Sequence, residues 1–438
     1  MRNKSFLSKM FIVFALAAVL VIAGCGSDEG ESSESTGSDE ASGDKVTLDI
    51  FQFKVEFKEQ FEELVALYQE ENPDVNVKVT TVGGGNDYAA SLKSQMSSGN
   101  EPTIFNVGGP TEVAEYRDYL TDLSDTAAAD AALEGTLNGV TEGDQVLGLP
   151  FAQEGYGLIY NKEVFESAGI NPDELTTFDA LEEAVATLDS QKEELGLEAV
   201  FAYPAKELWV MGNHTANTYI APEFDSDIIS AFEAETINFD NGDQLNRMVD
   251  LQSTYSVQPV LSLDYSQQVE QLFSLGKVAM IQQGNWVYPT IEQMDAEFAE
   301  NNIGMIPMPV EGLEDHLPVG VPQYWVVNNN KTDEEQQAAK DFLDWMYTSE
   351  EGKEMVLNDF KFIPAYEGYD TEKIADPLSQ IVYNYSAEGK TIGWTFMATP
   401  VGWNEDVLAV NIQKYLSGDI EWQEVLDASI EGWEKARQ

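Results

Sequence analysis

The chain has 438 residues, too many for one ordinary hydrophobic core, and its hydrophobic content of 43% is enough for globular packing. Acids outnumber bases 78 to 23, a net charge of −55, and such a surface repels nucleic-acid phosphates and anionic headgroups. Nucleic-acid binding is therefore excluded and an anionic ligand disfavoured, and two lobes of about 150–200 residues each are expected.

Residues 1–24 carry Arg2, Lys4 and Lys9 and no acid, then an apolar run from Met10 to Ile22 and the small pair Ala23-Gly24. That is the pattern of an export signal, with an apolar stretch too short to span a bilayer comfortably. Ile22-Ala23-Gly24-Cys25 is similar to a bacterial lipobox, in which the cysteine is diacylated and becomes the mature N-terminus. Cleavage there would deepen the net charge to −58. Cys25 is the only cysteine, so none would be left for a disulfide, a thiolate nucleophile or a zinc site. Residues 26–44 hold one apolar residue, Ala41, and read as a flexible acidic tether between a lipid anchor on Cys25 and the folded region.

The folded region opens as strand, loop, helix, strand. Val46, Leu48 and Ile50 alternate; Phe57, Phe61, Leu64, Val65 and Tyr68 recur at helical spacing up to Asn72-Pro73; Val75, Val77 and Val79 alternate again. In an open α/β sheet, ligands sit beyond the C-terminal ends of strands. That points to Gln52, Phe53 and Lys54 after the first strand and to Asp87 in the glycine-rich turn 83–88 after the second. The glycines are not a phosphate cradle, because no Lys-Ser/Thr follows them. A third strand over 102–107 brings Asn106 to the same edge.

Gly148 to Asn161 comprises a short apolar start, Pro150, small and polar residues around Glu154 and Tyr156, and the apolar run Leu158-Ile159-Tyr160. It reads as the first crossing between two lobes, with Glu154 and Tyr156 facing the cleft. Thr177 is a good N-cap for a helix from Phe178 to about Leu195. Trp209 to His214 reads as a loop, 278–281 as a strand leading into Gly284-Asn285-Trp286, and 303–309 as a strand leaving a lobe. Val319 to Val327, including Gln323, Tyr324 and Trp325, reads as one strand. Thr332 to Glu335 is a capping box, and Thr348 to Glu351 reads as a second. Residues 360–366 are extended, and an aromatic loop runs from Gly393-Trp394 to Gly402-Trp403.

The only histidines are His214 and His316, too few for a His-rich metal site, and no cofactor is expected. Asp225-Ser226-Asp227 and Asp240-Asn241-Gly242-Asp243 are fragments of calcium loops without the full spacing. No nucleophile elbow, zinc-protease motif or P-loop is present, so no catalytic residue is assigned. Trp209, Trp286, Trp325, Trp394 and Trp403 instead lie at strand ends or among glycines. An indole face packs against the apolar face of a sugar ring, and neighbouring amides and carboxylates take its hydroxyls.

Four segments carry a family resemblance: Ile22 to Cys25, "GLPFAQEGYGLIYNKEVFESAGI" from Gly148, "LFSLGKVAMIQQGNWVYPTI" from Leu272 and "GVPQYWVVNNNKTDEEQQAAKDFLDWMYTSEEGKEMVLND" from Gly320. In order and spacing the chain resembles the bacterial extracellular solute-binding proteins of family 1, the sugar-binding lipoproteins of ABC importers. The resemblance implies an α/β, two-lobed periplasmic-binding-protein-like fold of type II, each lobe a mixed sheet flanked by helices. It places the first lobe at 45–151 plus 319–361, the second at 156–308 plus 366–438, and hinge crossings at 152–155, 309–318 and 362–365. It implies stacking by Trp286 beside Asn285, and hydroxyl contacts from Gln52 to Lys54, Glu154 and Tyr156. The bulky Tyr324 and Trp325 depart from the small-residue loop usual there and are expected to reshape the pocket. The partners implied are a small sugar, the transmembrane subunits of an ABC permease and, through Cys25, the membrane; a monomer is expected. A secreted glycoside hydrolase and a polyamine-binding protein are the rival readings.

Overall fold

The computed structural model describes residues 45–82 and 88–438, apart from the side chain of Glu56. Cys25, the tether and Asp87 lie outside the described residues. Thirteen strands occur among those described: β1 (Val46–Gln52), β2 (Val75–Thr81), β3 (Ile104–Val107), β4 (Thr141–Glu142), β5 (Gln145–Val146), β6 (Leu149–Pro150), β7 (Glu154–Asn161), β8 (Ala199–Phe201), β9 (Val278–Gly284), β10 (Ile303–Ile306), β11 (Leu317–Gly320), β12 (Tyr324–Val327) and β13 (Thr391–Ile392).

One sheet has the order β2-β1-β3-β12-β6, and the other the order β13-β11-β7-β9-β8, with β10 also pairing β7. β4 and β5 form a separate hairpin. In the first sheet β1, β2 and β3 are parallel, as the intervening helices require, while β12 runs antiparallel to β3 and β6. The second sheet is mixed: β7 is antiparallel to β9, β10 and β11, and β8 is parallel to β9.

Alternation sets the cores. Helix Lys58–Glu71 turns Phe61, Leu64, Val65 and Tyr68 inward, and with helix Asp333–Thr348 it covers one face of the first sheet. Ile104, Trp325 and Val327 face that layer, whereas Phe105, Tyr324 and Val326 face the opposite one. The second lobe closes around the fully buried β7 and β9. Thr177 caps helix Phe178–Gln191, and Thr332 with Glu335 forms the capping box. At the second proposed box the cap is Ser349, which accepts from Gly352.

The chain passes from β6 in the first sheet to β7 in the second through residues 151–153. The segment Val319 to Val327, expected as one strand, is two strands in different sheets: β11 pairs β7, β12 pairs β3, and 321–323 lies between. Pro322 has no N–H to continue a ladder, which suits a break there. The step between sheets thus falls at 321–323, after the 309–318 expected from sequence, and Val319 and Gly320 pair in the second sheet. Near the third expected crossing, Ile363 bridges Gln153 and packs in the second core. Tyr366, expected to begin the second lobe, stacks on Tyr347 at 4.3 Å and donates to the Pro150 carbonyl at 2.5 Å. It belongs to the first core.

Trp325, expected to line the cleft, is only 1% exposed and packs between Phe61 and Phe151. Its Nε1 donates to the Tyr347 hydroxyl at 2.7 Å, which donates to the Phe151 carbonyl at 2.9 Å. Replacing Tyr347 with Phe leaves a buried indole N–H without its acceptor. Tyr347→Phe should lower stability by about 1–3 kcal/mol in urea titrations, and an unchanged midpoint would contradict this account.

Candidate ligand-binding site

Beyond the end of β1, the loop that carries Phe53 and Lys54 is shaped by one amide. Gln52 Oε1 accepts from the Lys54 N–H at 2.6 Å, and its Nε2 donates to Thr81 Oγ1 at 2.6 Å and to the Lys54 carbonyl at 3.2 Å. Gln52, expected as a ligand contact, is committed to the protein. Phe53 lies half-buried against Phe151 and Tyr88, with centroids 5.6 and 6.2 Å apart. Lys54 reaches across to Glu154 at the start of β7 and forms an ion pair with it; the two side chains are 7% and 8% exposed. One loop of the first sheet is thereby tied to the central strand of the second.

On the second lobe, an aromatic group surrounds His214. Tyr156 stacks on its imidazole at 4.4 Å with an interplanar angle of 18°. Trp286 lies at 5.0 Å, Trp209 at 5.2 Å edge-on, Phe396 at 5.6 Å and Trp394 at 5.9 Å. Three of the five tryptophans singled out by sequence are thus brought together. Trp325 is in the first core, and Trp403 packs edge-on to Trp433 at 4.9 Å in the second.

Local sequence explains how the rings are held. β9 ends at Gly284, and the Trp286 ring folds back over it. A Cβ on Gly284 would lie 2.1 Å from that ring, so only glycine permits the approach. Trp286 Nε1 donates to Gln283 Oε1 at 3.0 Å and Trp209 Nε1 to Glu207 Oε2 at 3.2 Å. Asn285, beside Trp286, accepts from the Gly155 N–H at 3.0 Å and donates to Ser379 Oγ at 3.1 Å, so it clamps β7 rather than presenting an amide. Asn106 is fully buried at the end of β3, and neither end of its amide has a partner among the described residues. Gln323 Oε1 is likewise buried without one.

Sequence reasoning missed His214 as a cleft residue and Asn217 altogether. The sequence suggests a loop from Trp209 to His214, but Val210–Thr215 is a wide helical turn running into helix Ala216–Ile220. That turn puts His214 under Tyr156. Asn217, less than one turn further, donates to the Tyr156 hydroxyl and to the Gly393 carbonyl, both at 3.1 Å. Its Oδ1 accepts from the Thr395 and Phe396 N–H groups at 2.9 and 3.1 Å, pinning the loop that carries Trp394. The polar run Asn213-His214-Thr215 in an apolar surround was the available signal.

The electrostatics are those of a neutral site. Burial, reinforced by the Lys54 ammonium, pushes His214 from 6.5 down to about 3, so the imidazole is uncharged at ordinary pH. Burial raises the Tyr156 hydroxyl well above its usual value, leaving it a neutral hydrogen-bonding group. Among the described residues, no group of three or more His, Cys, Asp and Glu side chains is placed to hold a metal ion, and no helix is long and apolar enough to cross a membrane.

Against known proteins, residues 54–353 match the family model of the bacterial extracellular solute-binding proteins. The chain is 24% identical to the melibiose/raffinose/stachyose-binding protein MelE of Bacillus subtilis over 358 residues, 79% of this chain and 78% of that one. It is 22% identical to the multiple sugar-binding protein of Streptococcus mutans serotype c over 320 residues, 70% and 72% of the two chains. Its fold is similar to that of a chitin oligosaccharide binding protein, at a TM-score of 0.75 and 22% identity over 90% of this chain and 100% of the other. It is also similar to RafE in complex with raffinose, at a TM-score of 0.72 and 18% identity over 90% and 100%. With two mixed α/β lobes, an aromatic site beside their crossing and a family match over most of its length, the chain belongs to the bacterial extracellular solute-binding proteins.

Proposed function

We propose that the chain is the capture subunit of an ABC importer, closing its two lobes on a neutral sugar, a disaccharide or short oligosaccharide, and delivering it to a membrane permease. The observation that carries this reading is the gathering of Trp209, Trp286 and Trp394 around His214 beside β7, facing Lys54 of the other lobe. Indole faces supply apolar burial against pyranose rings, and the unpartnered Asn106 and Gln323 supply polar contacts. The relatives named for melibiose, raffinose, stachyose and multiple sugars support the same ligand class.

Closure follows from a ligand that touches both lobes, because it binds the closed state better than the open one. In this reading the segments at 151–153, 321–323 and beyond Tyr366 serve as hinges. Cys25 carries the lipid, and residues 26–44 hold the protein near its permease on the extracytoplasmic face, raising the local concentration. The protein acts as a monomer. Glu154, the carboxylate assigned to the cleft, has its charge matched by Lys54, which favours an uncharged ligand over a polyamine. Binding without turnover is the role proposed; a glycoside hydrolase would convert the sugars it meets.

A thermal-shift screen over melibiose, raffinose, stachyose, maltose and spermidine tests the reading: a shift with a sugar and an unaltered sugar afterwards is expected, and a shift with spermidine alone, or hydrolysis, would overturn it. Trp286→Ala should weaken sugar binding by about 1–3 kcal/mol in calorimetry. Lys54→Met leaves a buried carboxylate unmatched and should cost about 3–5 kcal/mol in the closed state, read as lost affinity and a lower melting temperature. Adding Glu154→Gln should restore part of that loss. His214 resists a proton that the unfolded chain takes up below pH 6.5, so its contribution to stability is complete above 6.5 and declines as pH falls toward 3. His214→Gln should therefore lose less melting temperature between pH 6.5 and 4 than the parent protein.

A further inference from the structure

β9 carries two consecutive glutamines, Gln282 and Gln283, just before Gly284, and both are buried. Gln252 on helix Gly242–Thr254 and Gln268 on the wide turn Gln267–Phe273 reach them and are buried as well. A buried amide is costly unless its ends are paired. An apolar side chain would avoid that cost but could not fix the direction of a neighbouring N–H.

The links to Trp286 run in line. Trp286 Nε1 donates to Gln283 Oε1 at 3.0 Å, and Gln283 Nε2 donates to Gln268 Oε1 at 2.8 Å. Gln268 Nε2 donates in turn to the Ala202 carbonyl at 2.9 Å and the Gln282 carbonyl at 3.4 Å. An indole N–H only donates and a backbone carbonyl only accepts, so the ends fix the direction of both amides. Turning Gln283 over would set its NH2 against the indole N–H and its oxygen against the Gln268 oxygen. The Gln282 side chain serves the other side of the aromatic group: it accepts from Thr215 Oγ1 and from Gln252 Nε2, both at 2.8 Å, in the turn that carries His214.

Contact with Gly284 sets how close the Trp286 ring lies, but the last torsion of a tryptophan has two broad wells, which point Nε1 in opposite directions. A bond to the nitrogen distinguishes them. Trp394 lacks such a bond: it lies on β11 in a similar way, a Cβ on Gly320 falling 2.5 Å from its ring, yet its buried Nε1 has no partner among the described residues.

We propose that Gln268, buried in the second lobe and reaching the indole nitrogen through Gln283, is a positioning residue for Trp286. The one-way chain from the Ala202 and Gln282 carbonyls selects one of the two ring orientations before any ligand arrives, so the indole face that a ligand meets is preset. The effect on binding rests on Trp286 as a stacking residue, whereas the ring orientation is measurable with no ligand present.

Two-dimensional 15N–1H spectra of the full chain test the orientation. The Trp286 indole signal, assigned by its loss in Trp286→Phe, should be single and protected from exchange in the parent protein. Gln268→Met keeps the bulk, removes the acceptor of Gln283 Nε2 and lets that amide turn over; the signal should double or exchange about tenfold faster. Gln252→Met, equally buried but bonded to the Gln282 side chain, should leave it unchanged. The carboxyl of Gln268→Glu, protonated at about pH 5 because burial raises its pKa, can accept and donate as the amide does and should restore the single signal. In calorimetry with raffinose, Gln268→Met should weaken binding about fivefold in the parent background and by less than about twofold with Trp286→Ala already present. A doubled or unprotected signal in the parent protein, which needs no variant to fold, would overturn the assignment. So would an unchanged signal in Gln268→Met, or an equal affinity loss with and without Trp286, while sugar binding itself stands. A parent protein that binds neither raffinose nor any other sugar of the thermal-shift screen would remove the sugar reading and leave the ring orientation to be decided by the indole signal.

Discussion

One buried ion pair ties the two lobes together. Lys54 and Glu154 come from different sheets and are both withdrawn from water, so each depends on the other: an uncompensated charge in that position costs several kcal/mol. In a chain with 78 acids, a buried carboxylate with its own dedicated lysine is a specific arrangement. The loop amide of Gln52 sets Lys54 in place, and Asn285 holds the backbone beside Glu154. The same ammonium helps keep His214 uncharged. A second pair, Lys361 with Glu292 at 2.5 Å, is more exposed and contributes less.

Around that pair the side chains divide into those that hold and those that are left free. Gln52, Asn285 and Asn217 spend their amides on loops and strands. Asn106, Gln323 and Trp394 keep polar atoms unused among the described residues. Glycines at the two ring-bearing strand ends let the indoles lie directly on backbone, which fixes the ring planes before any ligand arrives.

Much of the fold was legible because it depends on local periodicity. The helix Lys58–Glu71, the alternating β1 and β2, and the caps at Thr177 and Thr332 follow from spacing within a dozen residues. What failed depends on partners far along the chain. Which face of the first sheet Trp325 and Tyr324 each take is set by the pairing of β12 with β3, some two hundred residues away, and one step of register exchanges the two. Trp403 follows a glycine and looked loop-borne, yet Gly402 only begins a helical turn that carries the indole beneath Trp433. Gly212 and Asn213 suggested a loop where packing imposes a helix, and with it the position of His214.

The strand order bears on how the molecule is made. The first sheet begins at Val46, yet its fourth strand is β12, and helix Asp333–Thr348, which covers its face, comes later still. Helix Lys58–Glu71 covers part of that face at once, but nearly three hundred residues separate β1 from the second helix of the layer, so no N-terminal fragment contains a finished lobe. β1, β2 and β3 can pair early, whereas β3 and β6 wait for β12 to complete the sheet, and contacts of such long sequence separation form slowly. Each sheet draws strands from distant parts of the chain, so neither lobe can be cut out or exchanged as a contiguous module.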